Sequence, residues 1–138
     1  MQATVKLVEN NRLVGTNSLG METFYDSNDG EFVQTAPTPM EVVLQAMGAC
    51  SAIDIISIIK KKRKQVADLE VKLDADRRDD YPKTFTNIRV KYILTSPDAE
   101  EKDLIRAVEL SQEKYCNVSI MLKDAGVNLT WEAELVRS

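Results

Sequence analysis

The sequence predicts an α+β domain in which antiparallel sheets pack around a buried central helix. Three observations predict it. Stretches with a two-residue apolar period stand near both ends of the chain. A long capped segment between them is apolar on almost every face, and a second, amphipathic helix falls among the later strands. With 138 residues the chain is long enough for one substantial core and too short for two, so residues 1–138 are read as a single domain.

Thr4, Lys6 and Val8 alternate with Ala3, Val5 and Leu7, which predicts a strand; Asn10-Asn11 turns the chain, and Arg12 to Thr16 returns as a hairpin arm. Gly20 and the turn residues 27–30 bracket a third strand over Met21–Asp26. The next segment, PTPMEVVLQAMGACSAIDIISIIKKKRK, predicts the central helix. Thr38 caps it, Pro39 fits the first helical position, and Glu41 closes a capping box with Thr38. A helix apolar all round belongs in a core. The β-branched run from Ile53 to Ile59 leaves a strand possible there, but capping and length favour helix. The basic cluster Lys60–Lys64 suits a solvated helix end, where exposed carbonyls favour cations, better than a nucleic-acid patch.

Leu69, Val71, Leu73 and Ala75 form one face of a strand, RRDDYP connects, and Phe85 to Leu94 is its partner. Ser96-Pro97 opens a second helix with Leu104, Ile105, Val108, Ser111 and Tyr115 on one stripe. Cys116 stands near the start of a short helix ending before Gly126, and Val127, Leu129, Trp131, Ala133 and Leu135 share a face of the final strand.

Apolar residues make up 43% and charged ones 29%, the balance of a folded chain. The net charge of −4 gives no general pull toward nucleic acid or anionic lipid, so neither is expected as a partner. MQATVKLVEN lacks the apolar centre of a signal peptide, and charges are read as interrupting every later apolar run short of a bilayer span. A cytoplasmic protein with reduced thiols is the expectation, without a permanent structural disulfide.

The chain has two cysteines and no histidine. The usual base of a serine or cysteine hydrolase is missing, and two cysteines cannot fill a four-ligand metal site. No metal is expected, and no phosphate-binding loop signals a nucleotide or other cofactor. Covalent chemistry, if any, falls to sulfur, which needs a thiolate, a cation to hold it and a second thiol. The alternative is that both cysteines are small buried hydrophobes.

TPMEVVLQAMGAC (38–50), YPKTFTNIRVKY (81–92) and EKYCNVSIMLKDAGV (113–127) together resemble the OsmC/Ohr family of osmotically induced and organic-hydroperoxide-resistance proteins, and AMGACSAIDIISIIKK is more similar to a less characterised OsmC-like branch than to the best-studied peroxidases. The resemblance runs over nearly the whole chain in the family's order. It implies an intertwined homodimer and a thiol-dependent peroxidase with its active site at the dimer interface. Cys50 then corresponds to the peroxidatic cysteine and Cys116 to the resolving one, with a dithiol as reductant. Arg12, in NNRLVG, corresponds to the functional arginine of the N-terminal hairpin; its alternative is an exposed hairpin charge.

Cys50 lies twelve residues past the cap, roughly 18 Å along the helix, too far for the helix end to stabilise a thiolate. Burial would oppose ionisation further, so the peroxidase reading requires an arginine. Ten residues before Cys50, where the family's better-known members carry a glutamate, stands Met40. Glu41 is explained by capping, and Asp54, one turn after Cys50, is a candidate to orient an arginine. Cys116 is expected to gain from the amide groups of the helix it opens. Apolar residues around Cys50 fit an organic hydroperoxide better than hydrogen peroxide. The competing readings are a non-catalytic dimer binding a small hydrophobic ligand and a thiol redox sensor.

Overall fold

A computed structural model describes residues 1–138. The chain divides into two compact units, Met1–Val43 and Leu44–Ser138. The first is a meander of β1 (Ala3–Glu9), β2 (Arg12–Asn17) and β3 (Glu22–Tyr25), antiparallel throughout. Asn10 at φ 49° makes the first turn, a left-handed conformation that asparagine tolerates. Every residue of β1 is exposed, so both faces of that strand are open in the single chain. Such a sheet has no core of its own to stabilise it.

The long helix α1 (Pro39–Lys61) begins in this unit. Its start is the predicted capping box. Thr38 N–H donates to Glu41 Oε1 at 3.1 Å, the Thr38 hydroxyl donates to the same oxygen at 2.9 Å, and Glu41 N–H donates back to Thr38 Oγ1 at 3.4 Å. These bonds, the backbone one foremost, hold the Glu41 carboxyl below its ordinary range, so capping accounts for this residue.

In the second unit, α1 is succeeded by β4 (Asp68–Arg77), β5 (Phe85–Ser96), α2 (Glu101–Leu110), a π-helical turn (Ser111–Tyr115), α3 (Asn117–Asp124) and β6 (Asn128–Arg137). The sheet order is β4-β5-β6. Ile88, Val90, Tyr92 and Leu94 of the central strand are buried, as are Leu104, Ala107 and Val108 of α2. The stripe Met47, Gly48, Ser51, Ile55 and Ile59 of α1 completes this core. Gly48 permits the close approach: a Cβ there would stand 2.8 Å from Leu73 Cδ1. The opposite face of the sheet is charged, with Arg89 between Asp74 and Asp76 at 2.6 and 2.8 Å.

The α+β class is as predicted, with three corrections. β6, expected antiparallel, runs parallel to β5. The connection between them holds α2, the π-turn and α3, and a crossover of that size returns the chain in the same direction. Ser96 ends β5 instead of opening α2. Its hydroxyl accepts from Ala99 N–H at 2.9 Å, and the helix starts at a second capping box between Glu100 and Asp103. Finally, α1 is by length and composition apolar enough to cross a bilayer, with a mean hydropathy of 2.0 over eighteen residues, so the charge of Asp54 does not break the run as expected. Within one chain only its one stripe is buried; Val43, Ala46, Ala49 and Ile53 form a second, exposed stripe.

Candidate functional site

The two cysteines meet. Cys50 is half-buried on α1, and Cys116 is wholly buried at the N-terminus of α3. Both are free thiols, and Cys50 stands near enough to Cys116 to raise the pKa of its thiol. Separated by 66 residues in sequence, they are joined through the β4–β5 hairpin and α2.

Local structure explains how Cys116 arrives there. The α2 helix does not stop at Leu110 but widens: Cys116 N–H donates to Ser111 carbonyl, five residues back, at 2.7 Å. A π-turn of this kind inserts one extra residue into a helix and re-aims the chain beyond it. Cys116 then caps α3 with its sulfur, which accepts from Ser119 N–H at 3.4 Å and from Ser119 Oγ at 3.0 Å. The thiol itself donates to Met47 carbonyl on α1 at 3.9 Å.

The electrostatics of Cys116 differ from expectation. Burial raises its pKa and outweighs the two Ser119 donors that lower it; the neighbouring Cys50 sulfur raises it as well. The helix start therefore does not make Cys116 an anion, and it holds its proton at neutral pH. It is suited to be the second thiol, not the first.

Cys50 and Cys116 rest on a buried polar network. Gln112 Nε2 donates to Tyr92 Oη at 2.5 Å, and Tyr92 Oη donates to Ser51 Oγ at 3.0 Å. Ser51 Oγ donates to the carbonyls of Met47 and Gly48 at 3.2 and 3.3 Å. Burial pushes the Tyr92 phenol up to about 12, so it acts as a neutral donor. Asp54, the sequence's candidate for orienting an arginine, instead accepts from Ser111 Oγ at 2.9 Å and so holds the π-turn to α1. Beyond it opens a cleft of about 360 Å³ lined by Ser57, Ile58, Lys61, Leu110 and Tyr115.

Arg12 belongs to the first unit. It starts β2, faces Asp26 at 3.8 Å and Glu9 at 3.6 Å, and is 30% exposed, which makes it neither a free hairpin charge nor a buried one. Its Nε is buried without a partner. Asp26 was missed by sequence reasoning. It is buried and accepts from Thr35 N–H at 2.7 Å, Thr35 Oγ1 at 3.1 Å and Ala36 N–H at 3.1 Å. The Thr35 backbone bond chiefly, with Arg12 assisting, holds its carboxyl below the ordinary range. Asp26 is thus a carboxylate that faces Arg12 within the first unit.

The model of the family described as OsmC-like protein matches residues 29–132, both cysteines included. The chain belongs to the OsmC-like family. Within that family it is 46% identical over 136 residues to Protein YhfA of Escherichia coli, covering 99% of this chain and 98% of the relative. A solved structure of a hypothetical protein from Aquifex aeolicus VF5 is 32% identical, with a TM-score of 0.82 over 98% of this chain and 96% of the other. The organic hydroperoxide resistance protein OhrB of Bacillus subtilis shares the fold at 18% identity, with a TM-score of 0.58 over 99% and 98% of the two chains.

Proposed function

We propose that this OsmC-like protein is a thiol-dependent peroxidase that reduces organic hydroperoxides as a homodimer. The observation that carries the reading is the apposition of Cys50 and Cys116, with Cys116 holding its proton. In the first step the Cys50 sulfur attacks the peroxide oxygen; the O–O bond breaks, the alcohol leaves and Cys50 becomes a sulfenic acid. In the second, Cys116 sulfur bonds to Cys50 sulfur, its thiol proton departs with the sulfenic hydroxyl as water, and a disulfide remains. A dithiol then reduces the disulfide and is itself oxidised. Arg12, held toward Asp26, is the proposed cation for the Cys50 thiolate. A protein whose two thiols are free suits the reducing cytoplasm.

Exposed apolar surface supports the second copy. Val5, Leu7, Met21 and Ile53 are each at least 60% exposed in the single chain. Large apolar side chains left open in each unit suit burial against a partner, and a second chain of the same sequence is the partner the resemblance implies.

The test treats reduced protein with cumene hydroperoxide and follows thiol count, intact mass and turnover with dithiothreitol. Both thiols should disappear together and return with each cycle. Cys116→Ser should stop at a sulfenic acid, one oxygen heavier, and Arg12→Ala should slow its formation where Arg12→Lys restores part of the rate. Oxidation without recycling would instead indicate a sensor, and thiols that survive excess hydroperoxide would leave ligand binding as the function.

A further inference from the structure

We infer that Gln112 is a positioning residue for the thiol pair, its buried amide fastening the turn that delivers Cys116 to the turn of α1 that carries Cys50. The inference rests on the proposed redox reading, in which the approach of the two sulfurs is the decisive event.

Two paths leave the π-turn and close on one atom. From Gln112 the path runs through Tyr92 Oη and Ser51 Oγ to Met47 carbonyl, at 2.5, 3.0 and 3.2 Å. From Cys116 it runs directly to the same carbonyl at 3.9 Å. That carbonyl lies three residues before Cys50, and Ser51 is the residue after it. The side chain of Gln112 and the sulfur of Cys116 are therefore referenced to the same turn of α1. From the other side, Lys123 Nζ on α3 donates to Gln112 carbonyl, tying both ends of the Cys116 segment to residue 112.

The amide is an odd choice for this place on stability alone. Gln112 is 3% exposed, yet its Oε1 has no hydrogen-bond partner. An orphaned buried acceptor opposes folding, and methionine would fill the same length without one. What methionine lacks is a donor. The Nε2 bond occupies a lone pair of Tyr92 Oη and commits its hydroxyl hydrogen to Ser51. Without it the phenol is free to turn, and only the Ser111–Asp54 bond still holds the start of the π-turn to α1 by a side chain.

Gln112→Met and Tyr92→Phe cut this path at two links. The readout is equilibrium with a glutathione redox buffer, in which the two thiols become one disulfide while glutathione disulfide becomes two glutathiones; no peroxide is involved. Acid-quenched mass spectrometry gives the effective concentration of the pair, and urea unfolding gives the stability of the reduced protein. A change that weakens reduced and oxidised folds alike leaves the effective concentration where it was. Positioning predicts that it falls about tenfold or more in each variant, and no further in the double variant than in the worse single one. Wild-type effective concentrations in both variants, whatever their unfolding midpoints, would overturn the role of Gln112 and leave the redox reading standing. A wild-type protein that forms no disulfide in this buffer would overturn both.

Discussion

At the scale of single residues, Asp26 shows how a carboxylate without a sequence signature organises its surroundings. Its three donors come from Thr35 and Ala36, nine and ten residues away, and its cation from Arg12. Because the folded pKa lies below the ordinary value of 3.8, ionised Asp26 contributes stability that is complete above that value and is lost as pH falls through the lower, folded one. Asp26→Asn should therefore lower the thermal midpoint at pH 7, with the gap from wild type closing below about pH 3.8. A gap of constant size across that window would show that the charge is not what matters. Arg63 offers the reverse case. It ends α1 at φ 61°, with Lys64 N–H bonded to Ile59 carbonyl at 3.2 Å, a left-handed termination that usually carries glycine. Arg63→Gly should stabilise the protein by roughly 1 kcal/mol in urea unfolding. Neither residue was legible as special in the sequence. Asp26 reads only as the last residue of a strand before a turn, with its partners nine and ten residues further on, and the strain at Arg63 depends on where the helix stops within a run of five basic residues.

At the scale of elements, legibility followed how local the cause is. Thr38, Pro39 and Glu41 announced the start of α1 because a capping box is written in four consecutive residues. The alternating strands were equally plain, but alternation carries no direction, and the parallel run of β6 along β5 depends on the intervening helices. The π-turn was invisible because Leu104, Val108, Ser111 and Tyr115 keep an acceptable helical spacing whether or not one turn widens. The three partners that position the thiols, Ser51, Tyr92 and Gln112, come from separate elements, whereas the thiols themselves could be found through their motifs. Gly48 is the element-scale pivot, since it lets α1 settle on Leu73. Gly48→Val adds an isopropyl group whose first carbon alone would stand 2.8 Å from Leu73 Cδ1, and should destabilise by about 1–3 kcal/mol. The check is the urea midpoint of reduced protein, together with retention of the Cys50–Cys116 bond in oxidised protein. A midpoint at or above that of wild type would mean that the sheet gives way and that the contact is not a constraint.

At the scale of the whole molecule, the charge balance and the missing histidine narrowed the chemistry, and apolar periodicity, with the family motifs beside it, pointed to the α+β fold. The exposed apolar surface was not legible. The all-round apolarity of α1 predicts burial, and only the fold shows that one chain covers a single stripe and leaves the other to solvent. The same holds for the first sheet, whose edge strand has no covered side. The proposed homodimer predicts that Leu7→Glu or Ile53→Glu shifts sedimentation from a two-chain to a one-chain species, whereas Lys72→Glu, at an already charged position, does not. The open meander has a further consequence for handling the protein. Association that favours only the folded form adds to stability by mass action, so the melting temperature should climb with protein concentration, and dilute stocks should unfold and precipitate sooner than concentrated ones.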